Sequence, residues 1–342
     1  MREKPVGALP AGLTYLGAIV GAGFASGREL LYFFARTGAG GLAGVAMAAI
    51  VLGCWGYFTM SLARSLRLPD YGALCAVACG RAGVFYDRLL TIITFSGLSV
   101  MIAGGGTVLA ELTAIPYGVG TLLTALGIAV VVAGGLTRLI RVSVALVPVL
   151  VVLAAGFAWP HALLAKPTPL AGLSWPLWAI LYASYNWLLS IGILTTLGRR
   201  TGSPGPAAAW GCVGTGGLAA LIVLACQADL PRLAQCPAPM LELTRDHGLY
   251  ACVLAAAILT TGVTQAMAVA VRFEPALGRL SVFAVALVAL PLSRLGLIVL
   301  VERLYPLLAT LGLPLMYVVA RAWLQECRKK APYVEGNSRT AS

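Results

Sequence analysis

Charge is scarce in this sequence. Charged residues make up only 11% of its 342 positions, with 12 acidic side chains and 2 histidines set against 60% hydrophobic residues. The two histidines, His161 and His247, stand far apart and the acids do not cluster, so neither a metal centre nor an acid–base pair is in sight. A membrane-embedded enzyme is therefore a poor reading. No phosphate-binding loop is present and no soluble segment is long enough to form a nucleotide-binding domain, which excludes a nucleotide-driven pump. Zinc spacing is absent from the 8 cysteines. Cys54, Cys212, Cys226 and Cys252 lie in or beside apolar runs, Cys75 and Cys79 sit near one loop, and Cys236 has no neighbour to pair with, so no disulfide framework is predicted. The formal net charge is +12, but the basic residues are scattered between apolar runs, and nucleic-acid binding is not indicated.

What the sequence has is apolar length. A spanning helix needs about 20 apolar residues, and such runs recur at about 8–35, 39–63, 84–112, 117–136, 142–160, 173–197, 206–227, 248–271, 279–293 and 305–325. The fold class predicted is an all-α integral membrane protein with ten transmembrane helices, and the whole chain, 1–342, is read as a single unit. With the N-terminus inside and the chain alternating through ten spans, most of the 24 lysines and arginines fall on the cytoplasmic side, as the positive-inside rule requires. Both termini are then cytoplasmic, with a short tail at 326–342. Arg2 and Lys4 before an apolar run also invite a signal-peptide reading. Pro10, Tyr15 and the glycines within the run, and its resumption at Leu30–Phe34, favour a discontinuous spanning helix instead.

The break in that first span is the segment Gly21, Ala22, Gly23, Phe24, Ala25, Ser26, Gly27, Arg28 and Glu29. Each glycine costs roughly 1 kcal/mol in a helix interior relative to alanine, and open backbone at membrane depth is tolerated only where it is buried in protein or lines a cavity. Ten spans divide into two inverted five-helix repeats, about 8–160 and 173–325, and in such folds the first helix of each repeat is interrupted at the midplane. The sixth span is accordingly expected to unwind around Ser184, Tyr185, Asn186 and Trp187, although a buried Asn that merely bonds a neighbouring helix is the plainer alternative.

The run from Tyr15 to Glu29 resembles the first helix of the YkvI-like membrane proteins, bacterial members of the amino acid–polyamine–organocation superfamily with the LeuT fold. The Ser184–Trp187 stretch is similar to that family's sixth helix. This resemblance implies a protein of the bacterial cytoplasmic membrane that moves a small solute through the lipid bilayer by alternating access. It needs no cofactor, and sodium is the implied coupling ion. In sodium-coupled members of the fold, the places of the ion's ligands correspond here to the carbonyls of Gly17 and Val20, the carbonyl of Ala257 and the hydroxyls of Thr260 and Thr261. The alternative for the threonines is a hydrogen bond to their own backbone one turn back.

The amides around Ala25, Ser26 and Gly27 start a new half-helix that suits a carboxylate, so an amino acid or another small organic anion is the expected substrate. Gly104 in the small-residue run of the third span leaves it room, and Tyr185 and Trp187 are candidates for an aromatic wall. Arg28 and Glu29 are read as parts of an outer gate, with Glu302 as a partner. With both at the gate, no buried acid offers itself as a proton relay. Metal-ion transport is unlike this pattern, because the first span holds neither Asp nor Asn and the sixth no Met. Proton-coupled transport of the same solutes, or a receptor that keeps the fold and binds a ligand without transport, are the alternatives.

Overall fold

The computed structural model describes residues 5–165, 174–236, 238–244, 246–278, 281–293 and 305–338. Among the described residues the regular structure is helical, apart from one isolated parallel bridge between Val6 and Thr201. The first predicted span is built from three short helices, α1 (Ala8–Ile19), α2 (Ala22–Ala25) and α3 (Arg28–Phe33). The first interruption is at Val20 and Gly21, where the backbone leaves the helical region. The second is at Gly27, whose φ of 78° is left-handed; a side chain there would cost roughly 1–2 kcal/mol.

The helices that follow are α4 (Gly40–Leu66), α5 (Tyr71–Cys79), α6 (Gly83–Thr113), α7 (Tyr117–Ala133), α8 (Gly135–Ala162), α9 (Trp175–Arg200), α10 (Pro204–Gln227), α11 (Leu230–Leu233), α12 (Pro239–Leu243), α13 (His247–Leu277), α14 (Ser281–Ser293) and α15 (Tyr305–Ser338). Their starts follow local chemistry. Asp70 caps α5 by accepting from the amide of Ala73 at 2.9 Å, and Asp246 caps α13 by accepting from Leu249 at the same distance. Pro204 opens α10, where its missing N–H costs nothing.

Among the described residues seven helical segments are long and apolar enough to cross a membrane, and α1, α7 and α14 are shorter apolar helices. Large apolar side chains such as Ile50, Ile92, Val152 and Leu287 point outward, as lipid-facing residues do. The apolar window of α9 is 78% buried and that of α8 only 28%, so α9 is a central helix and α8 a peripheral one.

One expectation fails here. The sixth predicted span does not unwind, because α9 runs without interruption from Trp175 to Arg200. Between Leu177 and Ile191 it has no glycine or proline to break it. Two of its polar side chains return to the helix instead: Asn186 donates to the Tyr182 carbonyl at 3.0 Å and Ser190 to the Asn186 carbonyl at 2.8 Å. Three boundaries also move by six residues or more. The helix expected from 142 begins at Gly135, the one expected to end at 271 runs to Leu277, and the last one continues past 325 to Ser338.

Packing surrounds the break. α1 lies against α8, α9, α10 and α13. Tyr15 pins it to α4 and α10: its hydroxyl donates to the Leu52 carbonyl of α4 at 2.9 Å, and its ring fills the space left by Gly56 and Gly211. Elsewhere α6 and α13 are joined by a two-pronged ion pair, Arg272 Nε to Asp87 Oδ1 at 2.9 Å and Nη2 to Oδ2 at 2.6 Å.

Candidate functional site

The first interruption frees carbonyl groups. The amide of Gly21 turns back to the Ile19 carbonyl at 2.9 Å, so the Gly17 carbonyl loses the donor that a continuous helix would supply. The Val20 carbonyl loses its own in the same way, since the Phe24 amide belongs to the next helix. The Thr261 hydroxyl of α13 reaches both, at 2.8 Å from the Gly17 oxygen and 3.1 Å from the Val20 oxygen. Three oxygens from two helices thus meet in a buried spot.

Thr260 behaves differently. Its hydroxyl bonds back within α13, to the carbonyls of Ala256 at 2.9 Å and Ala257 at 3.1 Å. It still stands beside Gly17, where an ideal Cβ would lie 3.3 Å from the Thr260 Cβ. Gly17, Val20, Ala257, Thr260 and Thr261 therefore lie along one contact between α1 and α13. Two carbonyls and a hydroxyl already converge, and all five offer the hard oxygen donors that suit an alkali cation.

The amides expected to meet a substrate are displaced by one turn. Ala25, Ser26 and Gly27 donate to the carbonyls of Gly21, Ala22 and Phe24 and so are occupied. The amides of Ala22, Gly23 and Phe24 find no acceptor among the described residues, because the helix that would supply one stops at Ile19. Gly21 faces Met101 of α6 and Thr261, and Gly104 lies against Ala22 and Ile258. The small residue in the third predicted span therefore does abut the break.

The four candidates on α9 scatter. Ser184 donates to the Ala309 carbonyl of α15 at 2.8 Å, and Trp187 donates through Nε1 to Thr59 of α4 at 3.0 Å. With Asn186 bonded to its own helix, only Tyr185 reaches the broken span. Its hydroxyl donates to Glu29 Oε2 at 2.6 Å.

That contact corrects the gate reading. Arg28 and Glu29 diverge: Arg28 Nη1 donates to the carbonyls of Ala234 and Cys236 at 3.1 and 3.0 Å, in the connection between α10 and α13. Glu29 turns inward, is 5% exposed and lies over Gly23, where an ideal Cβ would land on its carboxyl group. A buried acid does exist next to the break, contrary to the sequence expectation. Adjacent residues on a short helix point in different directions, and sequence spacing does not say which of the two faces in. Glu302 lies outside the described residues.

Three residues that were not singled out complete the surroundings. Tyr250 of α13 donates to the Ala25 carbonyl at 2.6 Å, and the Met240 amide donates to the Ser26 carbonyl at 3.0 Å, so α12 and the start of α13 cover this end of the break. Gln265, one turn beyond Thr261, is buried against Gly97 of α6, and its Oε1 has no donor among the described residues. An amide in the middle of an apolar span was the visible signal for it. At the opposite end of the molecule, where α1 begins, a cavity of about 300 Å³ is lined by Pro69, Gly135, Thr196, Arg199, Met267 and Glu274.

Comparison with known proteins places this geometry. No family model matches the chain. It is 23% identical to the membrane protein YkvI of Bacillus subtilis (strain 168) over 220 residues, covering 59% of this chain and 60% of YkvI. It is 28% identical to YyaD of the same strain over 198 residues, covering 55% of this chain and 56% of YyaD. The matched stretches thus span less than two thirds of either relative. Among solved structures, a substrate-bound, outward-open Na+-coupled sialic acid symporter superposes with a TM-score of 0.69 at 13% identity, over 93% of this chain and 79% of that one. MhsT in complex with L-phenylalanine gives 0.61 at 18% identity, over 86% of this chain and 80% of MhsT. Mhp1, a nucleobase-cation-symport-1 family transporter, gives 0.56 at 13% identity, over 94% and 76%. The chain is YkvI-like in sequence and LeuT-like in fold.

The contact between α1 and α13 joins the first and eighth of the spans predicted from the sequence, and Tyr185 is on the predicted sixth. The proteins this fold is shared with are transporters rather than enzymes.

Proposed function

We propose that this YkvI-like chain is a secondary active transporter of a small organic solute, an amino acid or a related compound, working by sodium-coupled alternating access. One observation carries the reading: the Thr261 hydroxyl bridges the Gly17 and Val20 carbonyls freed by the break in the first span. An ion seated there with Ala257 and Thr260 would hold α1 against α13, and its departure would let them separate. Carbonyls released at a helix break are the expected sodium ligands in this class of fold. The solute would lie beside the ion, along Gly21 to Gly27, facing Gly104, Tyr185 and Gln265.

The same reading takes ten spans in two inverted repeats, with α1, α7 and α14 crossing the membrane together with the seven longer helical segments. Both termini would be cytoplasmic, in a bacterial inner membrane. Arg28 and the connection it grips would then close the outer face, and the cavity beside Thr196 and Glu274 would face the cytoplasm.

Uptake into proteoliposomes tests the proposal. A sodium gradient should drive accumulation of a labelled amino acid, and replacing sodium by potassium should abolish it. Uptake indifferent to sodium would remove the ion assignment. Binding without any flux would replace the transporter by a receptor.

A further inference from the structure

Resting on the transporter reading, we propose that Glu29 is the counter-ion for an organic ammonium group, so that the transported solute is an amine-bearing compound such as a zwitterionic amino acid. Glu29 is 5% exposed at the broken first span, and the ion pairs among the described residues, Arg232–Glu242 and Arg272–Asp87, do not include it. Its neighbour Arg28 is turned to the Ala234 and Cys236 carbonyls. An acid inside a membrane protein is costly unless it is paired with an opposite charge, and such residues mark binding sites and ion pathways. The Tyr185 hydroxyl at 2.6 Å orients one carboxyl oxygen. The other lies over Gly23, at the bare face of the break.

The rings packed on Tyr185 fit the same ligand. Phe33 and Tyr182 lie 5.5 and 5.4 Å from Tyr185, centroid to centroid, and 5.4 Å from each other. Aromatic faces attract ammonium groups, and a carboxylate beside a group of rings is the chemistry that recognises alkylammonium ions. The rings continue through Trp178, 5.9 Å from Phe33, to the 40% exposed Tyr32. There the guanidinium of Arg36 sits 5.5 Å from the ring centroid, a cation already resting on the outer member of the series. The run of aromatics therefore joins an exposed rim to the buried acid.

The other role open to the carboxyl is a simple tie between α3 and α9, and glutamine separates the two. Glu29→Gln keeps an acceptor for Tyr185 and nearly the same shape, and removes only the charge. The probes are the common L-amino acids, each paired with its N-acetyl derivative, which keeps the carboxylate and lacks the ammonium. Binding is read by thermal shift of the purified full-length protein, with and without sodium.

At least one free amino acid should stabilise the protein while its N-acetyl form does not. Glu29→Gln should unfold near the wild-type temperature and bind that amino acid about tenfold or more weakly, as loss of a buried charge-assisted contact implies. Tyr185→Phe, which keeps the charge, should bind it with a smaller loss. Equal binding of the N-acetyl forms, unchanged affinity in Glu29→Gln, or no stabilisation by any free amino acid overturns the proposal. So does a Glu29→Gln protein that keeps its affinity but loses uptake driven by a pH gradient, which would make Glu29 a proton carrier. Sodium-driven uptake of an amine-free carboxylate would sink the ammonium assignment and leave the transporter reading standing. Ammonium-dependent binding without flux would do the reverse.

Discussion

Two adjacent threonines divide the work at the proposed ion site. The Thr261 hydroxyl leaves its own helix for the carbonyls of Gly17 and Val20, whereas Thr260 stays with Ala256 and Ala257. Thr261→Ala is therefore expected to raise the sodium concentration for half-maximal uptake about tenfold, the effect of losing roughly 1.4 kcal/mol of ligand interaction. Thr260→Ala should shift it less, since that hydroxyl already has partners within α13. Sodium titrations of uptake by the two variants compare them directly; equal shifts would mean that both act as ligands. At Gly23, alanine would place a methyl group where the Glu29 carboxyl lies. Gly23→Ala is expected to abolish uptake while the protein still elutes as a single symmetric peak on size exclusion, because the clash is with one side chain and the surrounding helices keep their contacts. Full activity in Gly23→Ala would show that the carboxyl can move without consequence. That these positions are candidates was legible in the sequence. Which way each side chain turns was not, because direction depends on neighbours that arrive from distant parts of the chain.

At the scale of elements, the contrast between α1 and α9 shows what breaks a spanning helix. The first span has glycine at 21, 23 and 27, and its backbone leaves the helix at Gly21 and again at Gly27. The stretch Ser184–Trp187 is polar but contains neither glycine nor proline, and α9 continues through it. Polar side chains in an apolar span seek partners, and a carbonyl one turn back serves as well as a ligand does. Symmetry between repeats was a weaker guide than backbone chemistry. Gly27 also packs closely, since an ideal Cβ there would lie 2.9 Å from Met240 Cγ. Gly27→Ala should lower the unfolding temperature, with a left-handed penalty of about 1–2 kcal/mol before that crowding is counted. Thermal unfolding in detergent measures it, and an unchanged midpoint would mean that the turn before α3 relaxes freely.

For the whole molecule, the position of α1 matters most. It packs against α8, α9, α10 and α13 alike, so any shift among those four helices is felt at the broken span. The two ends of that span are fastened differently. At one end Val6 pairs with the turn after α9, its amide bonded to the Arg200 carbonyl at 3.0 Å. At the other, Arg28 and Ser26 are gripped by residues between α10 and α13, and Ala25 by Tyr250 at the start of α13. Arg28→Ala is expected to loosen the second fastening and to raise the labelling rate of a cysteine placed at Ala25 by a membrane-impermeant thiol reagent. The measurement needs a background in which the native cysteines are replaced. A labelling rate equal to that of the parent would show that Arg28 does not hold this end closed.

Composition alone determined the solvent and the class of the protein. Runs of about 20 apolar residues without a two-residue alternation belong to helices in lipid, where backbone groups must be satisfied inside the protein. The glycine pattern determined where the first span breaks, because that is a local property of the backbone. Only the tertiary structure decided what the break touches. The partner of Gly17 lies 244 residues away on α13, and the partner of Glu29 lies 156 residues away on α9. Such pairs are set by how helices pack around one another, and no local pattern encodes the result.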